Sequence, residues 1–340
     1  MLYPKPYTSH TQQLAILTSR GLTVQNNAQA LCCLARTGYY RLSAYWYPFR
    51  VSHLLPNLGT GAPEINKVGP PDRLVTDQFK PGYSFEDAHD FYVFDKKLRL
   101  LLSDALERIE VSVRSRVVEH LGKKSPMAHR DPANFSRKFT TNLSRRSKPG
   151  APLTLYQDWI GQQDKLFDRS KEDFAEHFRS KYAVGGIPHP AIWVASETWD
   201  WGALSHCFGG LPPADQHAIA SIFSSMNGRD LASWLRHLND LRNICAHHSR
   251  LWNRNTANPP RVPNAGAIPM LDHLRLDNMS TRRLYGGLAI CAFMMRTLYP
   301  KTQWHIRLRE FVRAEAPRAN IIDPKVAGFP ADWHLLPIWN

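Results

Sequence analysis

Residues 84–117 read SFEDAHDFYVFDKKLRLLLSDALERIEVSVRSRV, and this stretch decides the fold class. Phe91, Phe94, Leu98, Leu101, Leu102, Ala105, Ile109, Val113 and Val117 recur at intervals of three and four, the repeat of one face of an α-helix. Ser84, with Asp87 three residues on, resembles a capping box at the start of that repeat. The spacing predicts a long amphipathic core helix. Its polar side carries Arg108, Glu110, Arg114 and Arg116, which on an ordinary surface helix form a solvated face with weak ion pairs.

Outward from this helix the periodicity stays helical. Upstream, residues 11–20 and 28–37 carry short helical patterns, and Gly38 to Phe49 form an aromatic run, GYYRLSAYWYPF. That run reads as an aromatic core edge or, with Arg36, Arg41 and Arg50 nearby, as a surface on which Tyr45 and Trp46 stack against bases. Residues 51–82, rich in Pro, Gly and Asn, read as a long connection. Downstream, Ser170 with Asp173 predicts a cap before Phe174, His177, Phe178 and Tyr182, in a helix that stops near Gly185-Gly186-Ile187-Pro188. After Pro190, residues 191–197 begin another helix, expected to end near Gly202. Further helices are expected over about 230–250 and 281–298, separated by Pro259, Pro260 and Pro263. No convincing set of alternating strands appears. The reading is all-α: an irregular helical bundle over 83–316 with a basic insertion at about 121–152, an N-terminal helical extension over 1–82, and a tail over 317–340.

The 340 residues, 43% of them apolar, can bury a substantial core. Lys and Arg number 43 against 29 Asp and Glu, a net charge of +14 that favours polyanionic partners, nucleic acid first. Between Lys123 and Lys148 the chain holds Lys123, Lys124, Arg130, Arg137, Lys138, Arg145, Arg146 and Lys148 against a single acid, Asp131. This reads as a basic loop, suited to phosphate backbones through counterion release or simply to water. The longest apolar run, residues 284–295, is about half a bilayer span, and MLYPKPYTSH lacks a secretory h-region, so a cytoplasmic protein without membrane contact is expected. The cysteines are Cys32, Cys33, Cys207, Cys245 and Cys291, with no C-x-x-C pair. They read as small apolar residues rather than as disulfides or metal ligands, and neither a metal nor a cofactor is expected.

Residues 231–248, LASWLRHLNDLRNICAHH, hold the candidate chemistry. Leu231, Trp234, Leu235, Leu238, Leu241 and Cys245 form the expected buried stripe, while Arg236, Asn239, Asn243 and His247 make one polar ridge. Arg242 lies about 140° around the axis from His247, close enough for its long side chain to share an anion. These residue types suit metal-free RNA cleavage, in which the ribose 2′-hydroxyl attacks its own phosphate. A histidine moves protons near neutral pH, a guanidinium holds the phosphate as charge grows on it, and an asparagine orients either. Spacing alone is a weak signal, since Arg-x4-His arises often by chance.

Several stretches resemble the AbiD/AbiF-type abortive-infection (Abi) family: residues 38–49, Phe94-Asp95-Lys96-Lys97-Leu98-Arg99 leading to Ile109-Glu110, residues 193–205, and above all Leu241 to Arg254, LRNICAHHSRLWNR. The resemblance covers most of residues 1–300. It implies membership of the HEPN superfamily, α-helical domains whose late-helix Arg-His motif commonly forms a composite nuclease site across a homodimer. Carried over, Arg242 would hold the scissile phosphate, Asn243 would orient, and His247 would do acid–base work, with His248, Asn239 and Glu110 in support. Arg36, Arg41, Tyr45, Trp46, Lys123, Lys124, Arg137, Lys138, Arg145, Arg146, Lys148, Arg250 and Arg254 are the expected RNA contacts. The resemblance also implies a toxin or phage-defence role and restraint by a small noncoding RNA. Two other readings stand beside this one: a noncatalytic module that holds a structured RNA, and a protein-binding scaffold without RNA affinity, against which the charge argues.

Overall fold

The computed structural model describes residues 6–54, 73–223, 226–315 and 321–340. Backbone contacts group the chain into two units, Met1–Leu98 with Arg318–Ile322 and Arg99–Pro317 with Asp323–Asn340. Among the described residues the architecture is all-α apart from one two-stranded ribbon and isolated bridges.

In the first unit, helix α1 (His10–Ser19) opens on a capping box in which Ser9 and Gln12 exchange side-chain bonds to each other's backbone N–H. Helix α2 (Asn27–Thr37) follows, capped by the Asn26 side chain. The aromatic run then folds as α3 (Tyr39–Trp46) and a 3-10 turn at Tyr47–Phe49. Tyr45 and Trp46 are 1% and 0% exposed. The Tyr45 hydroxyl donates to Asp95 Oδ2 at 2.8 Å, and its ring meets Phe91 edge-on at 5.3 Å. The core-edge reading of the run therefore holds. Tyr45 and Trp46 are withdrawn as base-stacking residues, because a ring buried in the core offers no face to a base.

The connection expected over 51–82 is corrected at both ends. Strand β1 (Arg50–Leu54) pairs antiparallel with β2 (Arg73–Phe79), in the register Ser52 to Val75 and His53 to Leu74, with a bulge between Arg50 and Ser52. Residues 55–72 lie outside the described residues. Each strand is too short to show its alternation, yet Arg20 and Arg50 both pair with Asp77 of β2, at 2.9 and 3.1 Å, and fasten the ribbon within the unit.

Helix α4 (Phe85–Gly122) is the long helix expected from residues 84–117. Its capping box forms: Ser84 N donates to Asp87 Oδ2 at 2.8 Å and Asp87 N to Ser84 Oγ at 3.1 Å. Eight of the nine residues of the repeat are buried, Leu101 being half-buried.

The second unit continues α4 from Arg99. Residues 123–148 fold rather than forming an open loop: two 3-10 turns lead to α5 (Arg137–Thr141), and Phe135 and Phe139 are buried against Tyr156 and Trp159 of α6 (Leu155–Arg169). The aromatics supply the core that the charges hide from a periodicity search. Helix α7 (Asp173–Phe178) starts from Glu172 without the expected Ser170 cap, whose hydroxyl instead accepts from Glu172 N. The helix after Pro190 is also corrected. It breaks into α8 (Ile192–Ala195) and a 3-10 turn, and a new helix, α9 (Trp201–Gly210), starts where an end was expected. Asp200 causes this by accepting Ala203 N at 2.7 Å as an N-cap, which places Gly202 in the first turn.

Helix α10 (Pro213–Ala220) precedes α11 (Gly228–Ala246), and α12 (Asn278–Arg282), α13 (Leu284–Leu298) and α14 (Trp304–Glu315) complete the set. Helix α11 packs against α9, α10 and α13. Indole N–H groups reach backbone carbonyls across this part of the fold: Trp201 of α9 to Leu235 of α11 at 2.8 Å, Trp159 of α6 to Ala203 of α9 at 3.0 Å, and Trp234 of α11 to Arg261 in the segment after it at 2.8 Å. Against α13 the approach is so close that a Cβ on Gly287 would lie 2.5 Å from Leu241 Cδ1 and 2.6 Å from His237 Nε2. Residues 323–340 add Phe329, Trp333, Ile338 and Trp339 to the buried set. Arg296 donates to the carbonyls of Pro337 and Ile338, and Arg309 to that of Trp339.

Candidate RNA-cleaving site

The buried stripe expected on α11 is present: Leu231, Trp234, Leu235 and Leu238 are 0% exposed, Leu241 2% and Cys245 6%. Burial on that stripe withdraws the Cys245 thiol from solvent. The opposite side carries Arg236, exposed, and Asn239, Arg242 and Asn243, half-buried. Arg242 Nη1 donates to Asn243 Oδ1 at 3.4 Å.

The helix was expected to run to about residue 250, but it stops at Ala246, and the stop shapes the site. His247 is the C-cap, and His248 adopts a left-handed φ of 54°. His248 N donates to Cys245 O and Ser249 N to Ile244 O, both at 3.0 Å. This is the Schellman pattern, with a histidine where glycine is usual. The buried Arg99 fixes the turn from beneath, donating to Ser249 O at 3.2 Å. His247 and His248 thus sit exposed at the helix end while Leu251 and Trp252 return to the core. Among the described residues the His247 imidazole has no hydrogen-bond partner.

Beside Arg242 stands an ion pair that α4 supplies. Glu110 Oε1 accepts from Arg114 Nη2 at 2.5 Å, both side chains 14% exposed, and the same guanidinium nitrogen donates to Trp199 O at 2.8 Å. Burial pushes the Glu110 carboxyl above its ordinary range, the Arg114 and Arg242 guanidinium groups pull it back, and Asp200 raises it further. Asn239 borders the same corner, its amide about 4 Å from where a Cβ on Gly202 would lie. The structure therefore brings Glu110, Asn239, Arg242 and Asn243 into one neighbourhood, with His247 one turn on. Arg114 and Asp200 also belong to it, and sequence reasoning missed both. Arg114 looked like a solvated charge, although its i,i+4 spacing from Glu110 was a usable signal.

The expected RNA contacts divide. Arg36 and Arg41 are exposed in the first unit. In the second, Arg137, Lys138, Arg145, Lys148 and Arg254 are exposed and Arg250 is half-buried. Lys123 pairs with Glu119 at 2.8 Å, Lys124 with Asp215 at 2.7 Å and Arg146 with Asp158 at 3.5 Å. Those three are partly spent on protein carboxylates. Among the described residues no group of three or more His, Cys, Asp or Glu is arranged to hold a metal ion, and no helix is long and apolar enough to cross a membrane.

Compared with known proteins, residues 32–253 match the model of a family described as Abi-like protein. The matched span runs from α2 through the turn that ends α11 and covers more than half of the chain. No curated protein and no solved structure matches.

Proposed function

Because the chain belongs to the Abi-like protein family, which points to abortive-infection defence against phage, we propose that it is an endoribonuclease toxin of HEPN type. The observation that carries this reading is the end of α11, where a half-buried arginine, an asparagine and an exposed histidine occupy the last turn of one helix on a chain of net charge +14. Arg242, backed by Glu110, holds the scissile phosphate. The Glu110 carboxylate limits where the guanidinium settles, and Arg114 offsets the cost of burying that carboxylate. His247 exchanges a proton with the reacting oxygens. As the 2′-oxygen bonds to phosphorus its proton leaves to a base, the bond from phosphorus to the 5′-oxygen breaks, and that oxygen is protonated. The products carry a 2′,3′-cyclic phosphate and a 5′-hydroxyl, and the scheme needs no metal ion.

A single imidazole without a partner is poorly oriented for both proton transfers, which favours a homodimer whose two α11 ends face one strand. The same observation supports the second reading, in which the chain binds structured RNA without cutting it. Restraint by a small noncoding RNA is the finer part of the proposal, and the basic surface suits it.

The test is cleavage of an end-labelled unpaired RNA in EDTA. The parent chain should leave cyclic phosphate ends, and Arg242→Ala and His247→Ala should each slow cleavage by about 10²-fold or more while keeping the parent's melting temperature and oligomeric state. A folded His247→Ala protein that cuts as fast as the parent removes the acid–base role, and RNA binding without cleavage by the parent favours the second reading.

A further inference from the structure

Half-buried arginines in the second unit commonly end on a carboxylate or on carbonyls. Arg114 meets Glu110, Arg130 gives both terminal nitrogens to Asp164 at 2.6 and 3.2 Å, and Arg179 and Arg296 grip backbone carbonyls. Arg283, the residue before α13, is half-buried too, but its Nη1 donates to Asn253 Oδ1 at 3.0 Å. Arg242 on Asn243 repeats that arginine–asparagine arrangement. Among the described residues no carboxylate pairs with Arg283. Its Nε is buried, whereas its Nη2 has no partner and is open to solvent.

The guanidinium is held in place by the protein alone. Its stem lies against Gly328, where a Cβ would stand 2.7 Å from Arg283 Cβ. Asn253 takes a left-handed φ of 54°, which asparagine tolerates better than most residues. Thr256 stitches the same loop to the junction of α12 and α13: its N–H donates to Arg282 O at 3.0 Å and its hydroxyl to that carbonyl at 3.3 Å. Arg254, next to Asn253, is thereby brought to the junction that carries Arg282 and Arg283. Arg254 and Arg282 are exposed, and among the described residues neither side chain has an ion pair or hydrogen bond.

Partial burial of a cation is offset by a counter-charge, and here the protein supplies none. A preorganised guanidinium with one open nitrogen, flanked by two unneutralised arginines, suits a phosphate oxyanion. The loop is also the one that leaves the motif turn: Asn253 follows His247 by six residues, a reach of at most about 22 Å. We infer that Arg283, with Arg254 and Arg282, forms a second phosphate subsite, which takes a phosphate of the same RNA strand that Arg242 engages. The strand's identity rests on the proposed function, but the subsite requires no cleavage.

The test measures binding of a labelled, unpaired 2′-O-methyl RNA by fluorescence anisotropy across a range of sodium chloride concentrations. Blocking the attacking hydroxyl keeps the strand intact. On a single strand each phosphate contact contributes about 0.7 to the slope of log affinity against log salt. Arg283→Gln retains an amide N–H for Asn253, and it should lower the slope by about 0.7 and weaken binding at low salt about tenfold. Arg254→Gln should lower the slope similarly; with no side-chain partner to lose, it decides the matter if Arg283→Gln does not fold. Arg307→Gln removes the same charge from an arginine already paired with Asp104 at 3.2 Å, and its slope should match the parent's.

Equal losses for strands with and without a 5′-phosphate assign the subsite to the backbone, and a loss confined to the phosphorylated strand assigns it to a strand end. A parental slope in either folded variant, or an equal fall in Arg307→Gln, overturns the inference. Altered slopes with no cleavage of unmodified RNA remove the nuclease reading alone, and cleavage with unaltered slopes removes the subsite alone. A parent that binds no RNA at low salt removes both.

Discussion

Gly287→Ala sets two known effects against each other and reads out how tightly α13 holds the helix that carries the candidate site. Inside a helix, alanine is better than glycine by about 1 kcal/mol, so propensity alone predicts a more stable protein. The new methyl, however, would lie 2.5 Å from Leu241 Cδ1 and 2.6 Å from His237 Nε2, about 1 Å inside ordinary contact on both sides. Neither neighbour yields cheaply. His237 is 0% exposed with its Nδ1 on Asn258 O at 2.9 Å, and Leu241 is 2% exposed. Overpacking of this kind costs about 1–3 kcal/mol, and two simultaneous overlaps place it near the upper end, so the net loss is about 1–2 kcal/mol. In urea titrations followed by tryptophan fluorescence, the midpoint should fall. If cleavage is observed, its rate should also fall, by about 10²-fold for a displacement near 1 Å, because Arg242 follows Leu241 directly on the moved helix. A midpoint that rises would mean propensity has won and that α11 and α13 are not in the contact described.

The turn after α11 makes a second prediction. A left-handed non-glycine residue costs about 1–2 kcal/mol, so His248→Gly should raise the unfolding free energy by about 1 kcal/mol while His248→Ala does not, and no gain for the glycine variant would refute the turn. Buried His237 gives a third. Its pKa is lowered to about 4 by burial, against 6.5 unfolded, so the fold keeps the neutral ring and its stability is full above about pH 6.5 and lost as pH falls toward 4. The loss attributable to this group is about 3 kcal/mol, and His237→Gln should flatten the pH dependence of melting over that window; identical pH profiles would contradict it. Asp215 behaves as a carboxylate does. Burial raises it, but hydrogen bonds from Lys124 and His120 outweigh burial and hold it below its ordinary value. Its contribution is present above the unfolded carboxylate pKa and is lost as pH falls through the lower folded value, so Asp215→Asn should cost more stability at pH 7 than in strong acid. A cost that persists unchanged at pH 2 would show that packing rather than charge is at stake.

How legible these features were in the sequence followed from how local their causes are. The stripe of α11 and the repeat of α4 could be read because each helix buries one face along its whole length, and Ser84 with Asp87 could be read because both partners of the box lie within one turn. The same local logic failed at Ser170, where Glu172 takes the N-cap position, and at Asp200, whose capping role depends on the extended backbone at Trp199 and Asp200 that nothing in 191–197 announces. Residues 123–148 were opaque because their core is supplied by Tyr156 and Trp159, which lie beyond the segment. At the site, Arg242, Asn243 and His247 were visible as a motif. The pairing of Glu110 with Arg114 was hidden, since burial decides whether two charges a turn apart are solvated or joined.

The carbonyls that Arg296 and Arg309 grip belong to residues 337–339, far downstream of α11. During synthesis the second unit lacks Trp333, Ile338 and Trp339 until those residues leave the ribosome, and contacts between segments so distant in sequence are slow to form. The motif helix thus leaves the ribosome before the residues that complete the packing of its neighbour α13. A nascent chain truncated before Trp333 should therefore expose α13 and α14 to chaperones and proteases.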